Sequence, residues 1–377
     1  MELYDLLVEG ASAGIELQDE SGSMPSGNNG PWNDPETPVR NTSHWLITFL
    51  KAYNITDDDQ FHEAAVSALE YLQSEETRPQ GKTFHHRKNP EKDFCNGLIG
   101  QAWAFEALVT ATRELGDPEP ESLAETVFLQ HPFDYERGLW QTVEITGEVL
   151  GYDMTFNHQL WFAATGAMLS DEEILEQVRI FLDNLEENLR LYDSGLVYHK
   201  VWRDFSVSDH VRYLTGGNDL EFGLRRYRDI ARTLLSRNNY DEQIIYRSIG
   251  YHSFNTYAFA MLKERFPDHD FWESKKIGSI LKYSRSNEYH KAIQDNDYGY
   301  PYNPPGFENA YTLSVFEPDS QTKQQKWVEE QVDRTFNFES SLLESVPTDA
   351  TTYAARIYEA TRLPNLEFGP DHDAKPK

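Results

Sequence analysis

A single cysteine, Cys95, stands among the 377 residues. One thiol cannot close an intramolecular disulfide, and such usage gives no sign of an oxidising compartment. No run reaches the ~20 apolar residues that a membrane-spanning helix needs. The N-terminal MELYDLLVEGASAG lacks the basic and long apolar regions of a secretory signal, so a cytoplasmic location is expected. Basic residues are scarce as well: 34 Lys and Arg face 63 Asp and Glu, for a net charge of −29. A surface of that sign repels nucleic acid and anionic lipid, and neither is expected as a partner. It suits the salt-rich cytoplasm of a halophile, where screening acts over a few ångström. Glycine-rich phosphate loops, HExxH pairs and cysteine clusters are missing. The neighbours His85 and His86 have no metal-ligand spacing around them, so neither a metal nor another cofactor is expected.

What the chain does have is helix after helix. Hydrophobic residues make up 39% and aromatics 13%, enough to fill a sizeable core. Apolar residues recur at helical spacing in segments that start near His44, Gln60, Gly97, Glu121, Phe156, Asp171, Leu220, Ser253, Phe271, Ala310, Gln321 and Ala350. Half of them, such as NGLIGQAWAFEAL and FNHQLWFAATGAML, are rich in small and aromatic residues and suit burial on most sides. Others, such as EEILEQVRIFLDNLEENL, carry one apolar stripe with charges elsewhere, as an outer ring requires. Six such pairs make an all-α (α/α)6 toroid. Residues 1–377 form one domain in this reading, with polar extensions near 1–30 and 365–377. PFDYERGLWQTV from Pro132 and LYDSGLVYHKV from Leu191 read as short β-hairpins on the rim, and RPQGKTFHHRKN from Arg78 is similar. The ring to which the Leu220 segment belongs stays open.

In a toroid, the segments that enter the inner helices converge on one end and can surround a ligand. Asp93, Asp153 and Asp219 each lie just before or at such a helix start. Each could be a cap that accepts from the free N–H groups there, or a working carboxylate of the kind acid/base chemistry on sugars needs. Asp153 ranks first because Asn157, His158 and Trp161 follow it; His158 could relay its proton. Asp93 ranks second, with Asn96 and Gln101 downstream. The first loop gathers Trp32, Asp34, Glu36, Arg40 and His44, in which Arg40 could hold a carboxylate through two parallel hydrogen bonds or pair with a neighbouring acid. His252 and Glu308 complete the candidate ring, or serve as helix-end groups. Trp32, Trp45, Trp103, Trp161 and Tyr257 offer flat faces for sugar rings, although aromatics at this spacing also build cores.

The segment YDMTFNHQLWFAATGAM resembles the inner-helix motif of the six-hairpin glycosidases, the unsaturated uronyl hydrolases above all, with Asp153 on the aspartate of that motif. KDFCNGLIGQAWAFEAL is similar to the preceding inner helix, which would put Asp93 on a second family aspartate. Over most of its length, including DPETPVRNTSHWLITFLKAY, the chain also resembles the Agl cluster protein Q family of archaeal protein N-glycosylation. That resemblance implies work on a hexuronic-acid-containing saccharide, lipid-linked or nucleotide-linked, by hydrolysis, isomerisation or epimerisation. Catalytic roles would fall to Asp153, Asp93 and His158. The loops depart from a standard uronyl hydrolase. A non-catalytic module that binds a glycan or scaffolds the pathway is the competing reading, and a toroid cyclase a weaker third.

Overall fold

The computed structural model describes residues 1–202, 237–344 and 349–369. All the segments read from the sequence fall on helices except the one near Leu220, which lies outside the described residues. The inner ring runs through α2 (Val39–Thr56), α4 (Gly97–Leu115), α6 (Phe156–Gly166), α10 (His252–Arg265), α13 (Pro305–Phe316) and α15 (Ala350–Ala355), which continues as a 3-10 turn over Arg356–Arg362. Each packs on the next, and the turn packs back on α2, which closes the circle. Small residues set this geometry. Ala102, Ala104, Ala107, Ala163, Ala164, Ala258 and Ala260 are all fully buried, so neighbouring backbones can approach closely around a narrow axis.

The outer helices carry the amphipathic pattern. In α7 (Glu172–Asp183), Ile174, Leu175, Val178, Phe181 and Leu182 are buried in the i, i+4, i+7 spacing of one helical face. Asp171 caps that helix, accepting from Glu173 N at 2.8 Å and Ile174 N at 3.1 Å, which satisfies two of its free donors. The outer partner of the last inner helix is α1 (Leu3–Ile15), which packs on α2, α3 (Asp59–Gln73) and the Arg356–Arg362 turn. Residues 1–30, read from the sequence as a polar extension, therefore hold a structural helix. Its buried Leu3, Leu6, Leu7, Ala11 and Gly14 form a stripe that two glycines and a short length conceal.

A three-stranded antiparallel sheet, β1 (Phe133–Asp134), β2 (Leu139–Val143) and β3 (Val149–Tyr152), stands on the rim where the first hairpin is expected. Phe133 pairs with Trp140 and Gln141 with Tyr152, and a bulge follows at Thr142/Val143. The Leu191 segment folds back on itself as a minimal hairpin, with a Leu191–Val197 antiparallel bridge flanked by Tyr192 N donating to Leu196 O and Tyr198 N to Arg190 O, and it also bridges Lys200 to Thr155. The Arg78 segment forms only a bridge from Arg87 to Glu36 and is a loop. No described helix is long and apolar enough to cross a membrane.

Candidate active site

The starts of the inner helices enclose a cavity of about 280 Å³, lined by Trp32, Trp103, Tyr251, Phe254 and Tyr302, by Asn29, Asn96, Asn157 and Asn303, and by His158 and His199. Its remaining polar wall is cationic: Arg87, Lys92, Lys200, Arg247 and Arg356. Among the described residues no carboxylate lines it, although the chain as a whole carries −29. The inner helices also aim their N-termini here, which adds positive partial charge.

Most of those cations are already matched. Arg87 reaches Asp93 at 2.5 Å and Asp34 at 3.3 Å, Lys92 reaches Asp34 at 3.0 Å, and Arg356 reaches Glu359 at 2.6 Å and Glu308 at 3.3 Å. Lys200 and Arg247 have no ion-pair partner among the described residues. Burial pulls the Lys200 ammonium below the usual lysine range, against the attraction of Asp153. Arg247 sits over Trp32, its guanidinium carbon 4.6 Å from the ring centroid. His199 between them is kept neutral by burial, then by the charges of Lys200, His158 and Arg247.

Asp153 and Asp93 both cap α4, one of them from another segment of the chain. Asp93 Oδ1 accepts from Gly97 N at 2.8 Å, and Asp153 Oδ2 accepts from Leu98 N at 3.1 Å. Asn96, the residue before the helix, has φ 57° and no capping bond of its own. Asp153 Oδ1 takes Thr155 N at 3.0 Å, while Oδ2 also faces His158 Nδ1 at 2.8 Å. Burial opposes the charge, but His158 and the two backbone donors outweigh it and hold the Asp153 carboxyl at about 2. Asp93 is likewise held below the usual carboxylate range: burial raises it, and Arg87 with Gly97 N more than compensates. Helix cap and histidine partner thus coincide in one carboxylate. In the neutral imidazole, an Nδ1–H donated to Asp153 leaves the opposite nitrogen Nε2 as an acceptor, and His158 lines the cavity.

Gly97 makes this arrangement possible. At φ 59°, a Cβ there would overlap Asp153 Oδ2 and come within 3.0 Å of His158 Nδ1. Gly97→Ala is therefore expected to cost about 1–2 kcal/mol for the left-handed backbone alone, and to push the aspartate and histidine apart. Denaturant unfolding at the wild-type midpoint would contradict both effects.

The other expected residues divide sharply. Trp32 and Asn96 line the cavity with His158, as does Trp103. Arg40, Glu36, Asp34 and His44 do not; they stand one layer behind it, fully or almost fully buried. Arg40 bonds Asn29 at 2.9 Å and Tyr302 at 3.2 Å, sits 3.4 Å from Glu36, and lies 4.0 Å from the Trp103 centroid. It braces the wall instead of meeting a ligand. Burial raises the Glu36 carboxyl to about 7 despite Arg40. His44 stacks on Tyr358 at 4.1 Å. Trp161 is buried against Phe254 and Tyr257, and Trp45 against Phe49. His252 accepts from Val197 N at 3.4 Å, faces Ser284 Oγ at 2.9 Å, and is held at about 3 by burial. Glu308 is buried beside Ser253 and Arg356. These are core positions, as helical spacing of polar residues inside a toroid permits. Asp219 lies outside the described residues. Sequence reasoning missed Lys200, Arg87 and Tyr302, which sit in connections, and Arg247, which sits in the last turn of the helix Arg237–Gly250, none of them at a helix start. Among the described residues, His85 and His86 gather no ligand set; His86 is buried edge-on to Trp103, 6.1 Å between centroids.

No family model matches the chain. It is 45% identical over 369 residues to archaeal glycosylation protein Q of Haloferax volcanii, covering 97% of this chain and 98% of that one. Among solved structures it is similar to a D-mannose isomerase, at TM-score 0.63 and 12% identity over 95% of both chains. It is also similar to an unsaturated glucuronyl hydrolase specific for heparin, at TM-score 0.58 and 11% identity over 96% of this chain and 95% of that one. At such identities these structures establish the six-hairpin toroid and nothing about its chemistry.

Proposed function

The chain belongs to the archaeal glycosylation protein Q family, and from that premise we propose that it modifies a hexuronic-acid-containing saccharide by proton transfer, with His158 moving the proton. The observation that carries this reading is the 2.8 Å contact between His158 Nδ1 and Asp153 at the edge of an aromatic-walled cavity. Asp153 serves as the orienting group. Its oxygens are occupied by three donors and its charge is fixed, so it holds the imidazole in one tautomer and leaves Nε2 to exchange a proton with the sugar. Lys200 and Arg247 draw in the sugar carboxylate, and Trp32 and Trp103 give the ring its faces. Hydrolysis by paired carboxylates requires two acids flanking the scissile bond; the described wall of the cavity has none, and the nearby Asp93 and Asp153 are each committed to capping α4 and to Arg87 or His158. Isomerisation or epimerisation is favoured, with the neutral His199 as a second imidazole at the same cavity.

The test is mass spectrometry of lipid-linked and protein-linked glycans from cells lacking this protein, complemented by wild type or by His158→Gln. Loss of a general acid/base lowers turnover by about 10²–10⁴-fold, so glycans are expected to stay unprocessed in the variant. Normal glycans made by a folded His158→Gln protein would refute the assignment, and saturable sugar binding without turnover by the wild type would favour a binding module.

A further inference from the structure

A second chamber of about 210 Å³ adjoins the first and shares Arg87, Thr155, His158 and Lys200 with it. Those four residues form a neck, with His158 in it. The two chambers differ in character. The inner one has aromatic walls and Arg247, which has no ion-pair partner among the described residues. The outer one lies against the rim sheet and is walled by Thr142, Leu150, Gly151, Tyr152 and Met154. Beyond the neck its charged groups, among the described residues, are Asp93 and Asp153. Gly151, at φ 95°, leaves bare backbone along the wall.

Resting on the reading above, we propose that the substrate is a sugar already joined to another sugar. The acidic unit occupies the inner chamber and its glycosidic neighbour the outer one. A nucleotide-activated sugar would place its diphosphate in the outer chamber, within reach of two carboxylates, where like charges repel. Two cations reach that side, both at the neck: Arg87 is already matched by Asp34 and Asp93, and Lys200 lies within the attraction of Asp153. A neutral sugar instead brings hydroxyl donors to the carboxylate and backbone acceptors. The position of His158 in the neck puts the reacting centre on the acidic unit, next to the linkage. The reaction that supplies this substrate is therefore a glycosyl transfer, and the protein acts after it, on an assembled chain.

The experiment incubates the purified wild-type protein in D2O with two probes: UDP-glucuronate, and the saccharides released from lipid and protein of cells lacking this protein. Mass, fragmentation pattern and carbon-bound deuterium are read for each. Alteration of the saccharide chain with UDP-glucuronate unchanged is expected. Met154→Trp, a half-buried and unbranched position outside the proton-transfer pair, fills the outer chamber. It is expected to slow chain turnover by about 10²-fold, as misplacing a reacting group does, with its melting temperature unchanged. Alteration of UDP-glucuronate overturns the proposal while sparing the proton-transfer reading, and so does full-rate turnover of the chain by folded Met154→Trp. If wild type alters neither probe, the proton-transfer reading falls and this proposal with it.

Discussion

Asp153→Asn is expected to lower turnover by about 10⁴-fold, the scale seen when the carboxylate that fixes a catalytic imidazole becomes an amide. The structure gives the reason atom by atom. Oδ2 of Asp153 accepts from Leu98 N and faces His158 Nδ1, while Oδ1 accepts from Thr155 N. An asparagine can keep one acceptor only. If its oxygen stays on Thr155, its NH2 confronts the Leu98 N–H and the Nδ1–H of His158, donor against donor. The imidazole escapes by moving its proton to Nε2, and the nitrogen that faces the cavity then donates where it must accept. Leaving Leu98 N unsatisfied adds about 1–3 kcal/mol of lost stability. Turnover and denaturant unfolding of the purified variant measure the two effects separately. Turnover within tenfold of wild type would refute the orienting role. A loss of stability without loss of turnover would reduce Asp153 to a helix cap.

Much of the toroid was legible in the sequence because its two rings obey different burial rules. NGLIGQAWAFEAL has small residues on every side, and EEILEQVRIFLDNL has one stripe; no other packing explains both. The nearness of Asp153 and His158 was legible too, since an aspartate just before a helix and a histidine in its first turn can face each other; that Asp153 also caps α4 from another segment was not. Arg40 and His44 were misplaced because chain position says that a residue is near the mouth of the ring but gives no radius. Arg40 lies a single layer too deep, where Asn29, Tyr302 and Trp103 cover it. Lys200 and Arg247 stayed hidden for the opposite reason. They carry no motif, and only the fold shows that other cations at the cavity are paired while these two have no partner among the described residues. Net charge was equally silent here: in a chain at −29 the described wall of the cavity is positive, with the nearby carboxylates in caps and ion pairs behind it.

Arg356 is the pivot of that confinement, and its removal is expected to have the largest effect on stability. It lies between two buried carboxyls and also bonds Asn303 Oδ1 at 2.9 Å. Glu308 and Glu359 are fully buried, and burial raises Glu308 to about 7 and Glu359 well above the usual range, with Arg356 opposing both. Breaking such a cluster by removing one partner costs about 3–5 kcal/mol, and Arg356→Met is expected to lose that much at pH 8. The pH dependence follows from the sign of the shifts. A carboxyl raised in the folded state supports folding below its unfolded value and loses that support as pH climbs through its folded value. Without the guanidinium, Glu308 stays protonated to higher pH than in wild type. The deficit should then be smaller at pH 6 and grow above pH 7 by up to about 1.4 kcal/mol per pH unit for each extra retained proton. Adding Glu308→Gln removes one of the stranded acids, so the double variant should regain part of the loss and flatten its pH dependence. Guanidinium unfolding at pH 6 and pH 8 decides the matter. A deficit below about 1 kcal/mol at pH 8 would mean a surface-like pair, and one that shrinks with rising pH would mean that the carboxyls do not depend on Arg356 for their charge.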